Sequence, residues 1–105
     1  MPEDRHITIA SGDDVLAEAS VSTPDDDGEV RVAVHVAPGQ LPAGARQRMA
    51  DAIHDTLSND NAERVTASVP LGDAELVDGI REHLVHAELR AAGATSIIQG
   101  DVSAT

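Results

Sequence analysis

The sequence predicts an α+β domain: a single mixed β-sheet in the order β-β-β-α-β-α-β(-β), with two helices on one face. Three observations carry this. Two alternating apolar runs flank one turn, "VLAEASVS" and "EVRVAVHVA" on either side of "TPDDDGE". Two later segments repeat their apolar residues at helical spacing. A short β-branched run, "ERVTASV", lies between those helices, which implies crossover connections and a parallel strand pair.

"HITIA" comes first, with Ile7 and Ile9 on one face. After "SGDD", Val15, Ala17, Ala19 and Val21 share a side. In "TPDDDGE", Asp supplies local hydrogen bonds and Gly the conformational freedom of a turn. The next run places Val30, Val32, Val34 and Val36 on one face and Arg31, Ala33 and His35 on the other, so the two runs form an antiparallel hairpin. The first helix is expected to begin near Pro42, whose missing N–H costs nothing at a first helical position. Its stripe is Ala45, Met49, Ala52, Ile53 and Leu57, while Arg48, Asp51, His54 and Asp55 point to solvent; "SNDN" ends it. "ERVTASV" turns Val65, Ala67 and Val69 inward, and Pro70 and Gly72 break it. Asp73 is a natural N-cap for a second helix, whose stripe is Leu76, Val77, Ile80 and Leu84.

The tail has two readings. "LVHAELRAA" can extend the helix or form a strand with Val85, Ala87 and Leu89 alternating. A closing hairpin with "TSIIQGDV" is favoured, because a continued helix leaves Val85 and Leu89 on the wet side. The uncovered face of the sheet then carries Ser20, Ser22, Ala33, His35, Thr66 and Ser68, which are small and polar.

At 105 residues the chain is one domain, 1–105, with residues 1–5 expected to be a disordered start. It has no Phe, Tyr or Trp, so its core must be assembled from many small side chains. That gives a mild expectation of a homodimer or other protein partner. The formal charge is −12, and all seven basic residues are Arg. Such a field repels phosphate backbones and anionic membranes, and no aromatic platform exists for base stacking, so nucleic-acid and membrane binding are set aside. With no Cys there is no thiolate chemistry. No segment reads as a signal peptide or a membrane span, which implies a cytoplasmic protein.

The element order resembles the C-terminal half of the GNAT superfamily of acetyl-CoA-dependent N-acetyltransferases. "EVRVAVHVAPGQLPAGARQRMADAI" (Glu29 to Ile53) looks like that family's core strand–loop–helix, and "ERVTASVPLGDAELVDGIREHL" (Glu63 to Leu84) sits where its next strand and helix would; the likeness covers roughly Val15 to Val102. The resemblance implies that acetyl-CoA is a possible cofactor. Its pyrophosphate would be held by a loop of pattern Gln/Arg-x-x-Gly-x-Gly/Ala and a helix N-terminus. The positions here would be Gln40, Ala43, Gly44, Ala45 and Arg46. The wording departs from the pattern: Gln40 lies four residues before Gly44, Leu41 falls at the Gln/Arg position, Arg46 falls at the Gly/Ala position, and Pro42 removes a donor. The family's first strand and two substrate-side helices have no counterpart before Val15. Its general-acid Tyr is also absent, leaving Ser or His for that role. These departures favour a noncatalytic module that self-associates or binds a protein. The alternative is an acyltransferase completed by a partner.

Other candidates compete with plainer readings. His35, mid-strand on the thin polar face, could line an acyl site as the one weak catalytic candidate, or be structural. His83 and His86 in "HLVH", beside Glu82 and Glu88, would share one side of a helix and could begin a metal set, or be ordinary surface histidines. His54, with Asp51 and Asp55, could be an oriented base or part of a solvated face. "TPDDDGE" lacks the alternating ligands and twelfth-position Glu of a calcium loop, and no Gly-x-Ser-x-Gly elbow is present.

Overall fold

The acidic turn shows how local chemistry sets the first half of the fold. Asp25 accepts hydrogen bonds on Oδ1 from the amides of Asp27 (2.9 Å) and Glu29 (3.0 Å), and its carbonyl accepts from Gly28 N–H (3.0 Å). Gly28 takes φ 77°, a conformation that costs a Cβ-bearing residue strain. The carboxylate is thus occupied in closing a hairpin.

The computed structural model describes residues 5–37, 42, 44–70 and 73–102. Its elements are β1 (Arg5–Ser11), β2 (Asp14–Val21), β3 (Glu29–Val36), α1 (Ala45–Asn59), β4 (Arg64–Pro70), α2 (Ala74–Glu82), β5 (Leu84–Ala92) and β6 (Thr95–Val102). They form one six-stranded sheet in the order β1-β2-β3-β4-β6-β5. Only β3 and β4 pair in parallel; the other neighbours are antiparallel. The crossovers β3-α1-β4 and β4-α2-β5 step in the same direction across the sheet, so connections of one hand place both helices on one face. The mixed sheet and its one-sided helical cover are those the sequence predicts. Arg5, expected in a disordered start, opens β1.

The tail is a hairpin, β5 with β6. The side-chain argument that favoured it does not survive, since Val85 and Leu89 remain 45% and 48% exposed on a strand. By register Val85, opposite Asp101, faces the uncovered side of the sheet, while Leu89, opposite Ile98, lies on the helical side of the edge strand β5. Val15, expected inward, is 49% exposed; it lies at the β1–β2 register shift beyond Ile9.

Helix α1 starts at Ala45, three residues later than Pro42. The N-cap, Gly44, takes a left-handed φ of 82°, and Ala45 N–H closes a tight turn onto the Pro42 carbonyl (3.1 Å). At the other end Asn61, at φ 57°, donates to Ser58 O (3.2 Å), and Ala62 donates to Leu57 O (3.0 Å). This is a Schellman ending with Asn in the place usually given to Gly. Asp73 caps α2 as predicted, accepting from Leu76 N–H (3.3 Å).

The core lies between the helices and the valine-rich sheet face. Met49, Ile53 and Leu57 of α1, with Leu76, Val77 and Ile80 of α2, cover Val21, Val30, Val32, Val65, Val69 and Ile98. The buried arc of α1 also takes in Ala50 and His54, which the periodicity assigned to neither stripe nor core. Both are covered because α2 lies alongside. A Cβ built on Gly79 of α2 would meet Ala50 Cβ at 3.1 Å, so the two helices pack as closely as a bare backbone allows. Gly79→Leu is therefore expected to lower stability by about 1–3 kcal/mol through overpacking, read as a fall in the urea midpoint with the slope unchanged.

Candidate functional site

The parallel ladder runs from Glu29 opposite Arg64 to Ala33 opposite Ser68 and then stops. Both strands continue, β3 to Val36 and β4 to Pro70. Beyond the stop, β3 stays with β2 through Val36 opposite Ala17, and Ala37 N–H donates to Leu16 O (2.9 Å). β4 stays with β6, as Val69 opposite Ser96 and Pro70 opposite Thr95. The sheet therefore divides at the carboxyl ends of its two parallel strands. In open sheets with crossover helices this is where ligands bind, and α1 begins on the same side.

The chemistry at that helix start is mostly directed inward. No acidic side chain lies in the first turn of α1 and no side chain caps it, which by itself favours an anion at the positive end of the dipole. Ala45 N–H, however, is already bonded to Pro42 O. The Arg46 guanidinium donates from Nε to Asp73 Oδ1 (2.7 Å), with Glu75 Oε2 3.9 Å from Nη1. The Asp73 side chain is only 10% exposed, so this pair holds the start of α1 against the start of α2. Gly44 is exposed; Gln40 and Ala43 lie outside the described residues. His35 sits two positions past the last ladder pair, exposed on the uncovered face, opposite Glu18.

The histidines of "HLVH" part company. His83 caps the C-terminus of α2, whereas His86 lies in β5, so the premise that both ride one helix face fails. The chain leaves the helix at His83 and takes φ 58° at His86, inside a register shift opposite Gly100. A Cβ on Gly100 would meet Ala87 Cα at 3.2 Å, so the bulge packs tightly against the glycine there. His86 Nδ1 is 3.3 Å from Asp101 Oδ2. His83 Nε2 is 2.9 Å from Asp51 Oδ1, and its ring stacks on His54 with centroids 4.3 Å apart and planes 11° from parallel. His54 is thus buried against a second imidazole, correcting its assignment to a solvated face. Among the described residues no group of three or more His, Cys, Asp or Glu is arranged to hold a metal ion, and no helix is long and apolar enough to cross a membrane.

Besides the Asp51–His83 contact and an ion pair between Arg5 and Asp60, two further polar arrangements were missed by sequence reasoning. One is the recruitment of Asp73 and Glu75 by Arg46. The other is a chain on the uncovered face, in which Gln99 Nε2 donates to Thr66 Oγ1 (3.4 Å) and Thr66 Oγ1 donates to Glu29 Oε1 (3.3 Å). Both join residues 27 or more apart, with no local spacing to betray them.

With the divided sheet and the helix start in place, comparison with solved structures is informative. The chain superposes on a GNAT-family acetyltransferase from Streptococcus pneumoniae with a TM-score of 0.65 at 9% identity, covering 95% of this chain and 66% of that one. The fold is that of the GNAT acetyltransferases. The ribosomal-protein-S18-alanine N-acetyltransferase of Escherichia coli gives a TM-score of 0.65 at 13% identity over 95% of this chain and 70% of its own. A putative acetyltransferase from Salmonella typhimurium, solved with acetyl-CoA, gives 0.57 at 12% over 87% and 59%. The chain thus spans roughly two thirds of the length of these GNAT proteins. No protein-family model matches the sequence, and no curated protein matches it.

The Asp51 carboxyl is held below its ordinary value, first by the hydrogen bond from His83 and then by the one from Gln47. A depressed carboxylate contributes stability that is present above its unfolded-state pKa and lost as pH falls through the folded value. His83→Ala is expected to return the Asp51 titration toward the usual carboxylate range of about 3.9, followed by carboxyl-carbon NMR. An unchanged Asp51 midpoint would refute the pairing.

Proposed function

We propose that this GNAT-like domain is a noncatalytic protein-association module. The observation that carries the reading is the fate of Arg46. At the helix start where the resemblance would place a pyrophosphate, its guanidinium is held by a nearly buried aspartate with a glutamate close by. A phosphate group arriving there meets carboxylates, and displacing Asp73 from Arg46 also disturbs the cap of α2. Like charges brought together in a partly dry site are unfavourable. The absence of any Tyr leaves only Ser or His to protonate a leaving thiolate.

A second reading, an acyl-CoA-dependent N-acyltransferase completed by a partner, has its own support. The sheet divides where a pantetheine-like chain could enter, the first turn of α1 carries no acid, and Arg48 is exposed one turn from the start. His35 would be its candidate base.

Calorimetric titration with acetyl-CoA separates the two, together with melting curves at rising ligand. The association reading expects no heat and no shift at ligand up to about 1 mM. Binding with a Kd of about 10 μM would stabilise the fold by about 2.7 kcal/mol at a hundredfold excess, and such a shift would establish the acyltransferase reading in its place.

A further inference from the structure

The uncovered face of the sheet has a charge unlike that of the rest of the molecule. By register it presents the charged side chains Glu18, Glu29, Arg31, Arg64, Glu88, Arg90 and Asp101. Three of the seven arginines thus meet four of the nineteen carboxylates, a formal charge of −1 with His neutral. The remaining four arginines and fifteen carboxylates, a charge of −11, belong to the helices, the turns, the chain start and, for Arg5 and Asp14, the first residues of β1 and β2. A chain acidic for solubility alone has no reason to spare one face. At its centre is a concavity of about 360 Å³ lined by Ser20, Ser22, Arg31, Ala33, Thr66 and Ser68. Ser20, Ala33, Ser68 and Ile97 follow one another across four adjacent strands.

We propose that this face docks on the same face of a second copy of the chain, making a β-sandwich with the helices outside. This rests on the association reading above and names its surface. The area suffices: six strands at ~4.8 Å and about seven residues at ~3.3 Å give about 650 Å² in projection, against the roughly 600–1,000 Å² per partner of stable interfaces. The charge selects the partner. The helical side repels another copy, whereas two faces of near-zero charge do not, and each offers both Arg and Glu to the other. Sheets pack about 10 Å apart and helices about 10 Å outside them, so the two acidic helical layers stand about 30 Å from each other. That exceeds the ~8 Å screening length at 0.15 M salt and equals the ~30 Å length at 0.01 M. Self-association is therefore promoted by salt, the reverse of an interface held by opposite charges.

Sedimentation equilibrium of the whole chain tests this at ~0.01 M and ~0.5 M NaCl. The expected result is a dimer whose Kd tightens tenfold or more at the higher salt. Ala33→Glu, and separately Ala33→Arg, both at an exposed position, should give monomers at either salt with melting curves close to wild type. Leu89→Glu, which alters the exposed apolar spot beside α2, should leave the dimer intact. A strict monomer at both salts, as when another segment or a different protein covers this face, overturns the proposal and the self-association half of the reading above. A dimer abolished by Leu89→Glu and indifferent to Ala33 overturns the proposed face but keeps self-association. A dimer that dissociates on adding salt overturns the proposed arrangement.

Discussion

The close approach of α1 and α2 at Ala50 and Gly79 is the contact on which most of this structure turns. Without aromatic residues the chain cannot roof a six-stranded sheet with a few large side chains. It lays two helices side by side, and the absence of a side chain at Gly79 lets them touch. That contact widens the buried arc of α1 to include Ala50 and His54. It also fixes the polar contacts between the helices. Arg46 reaches Asp73 at the helix starts, and Asp51 and His54 meet His83 where α2 ends. The contacts follow the two helices in the same direction, as helices after parallel strands must run.

The same economy explains the sheet. Valine on the covered side packs against the helices, while the other side carries small polar residues and balanced charge. The split between β3 and β4 lies at the carboxyl ends of the two parallel strands. It is a property of strand pairing, and it is present in a chain whose loop wording departs from the pattern that the resemblance implies. A fold of this kind does not by itself fix a chemistry, which depends on a few residues at the split.

What the sequence discloses and what it hides differ in range. The hairpin turn at Asp25–Gly28 and the caps at Asp73 and Asn61 rest on bonds within a few residues, and composition at those positions announces them or permits them. The two crossover helices and the valine-rich strands follow from periodicity. His54 was misplaced because its burial depends on α2, which arrives from 20 residues further on. The start of α1 was misplaced because Pro42 fits a first turn as well as it fits the tight turn before one, and only the φ of Gly44 decides. The bulge at His86 packs tightly on Gly100 across the sheet, a contact no local spacing announces. Of the candidate site, its place at the end of β3 was legible; the Arg46–Asp73 pair was not, since nothing local links those residues.

That pair also connects composition to chemistry. The positive end of a helix dipole and an adjacent arginine attract whatever anion is available. In a chain with nineteen carboxylates and seven arginines, the protein itself supplies it. Asp73 gains on two counts, bonding Arg46 and capping α2 through the same oxygen. A competing phosphate has to break both interactions and enter a field of the wrong sign. The surplus of acid, which looks like surface chemistry in the composition, therefore also shapes the start of α1 through Asp73.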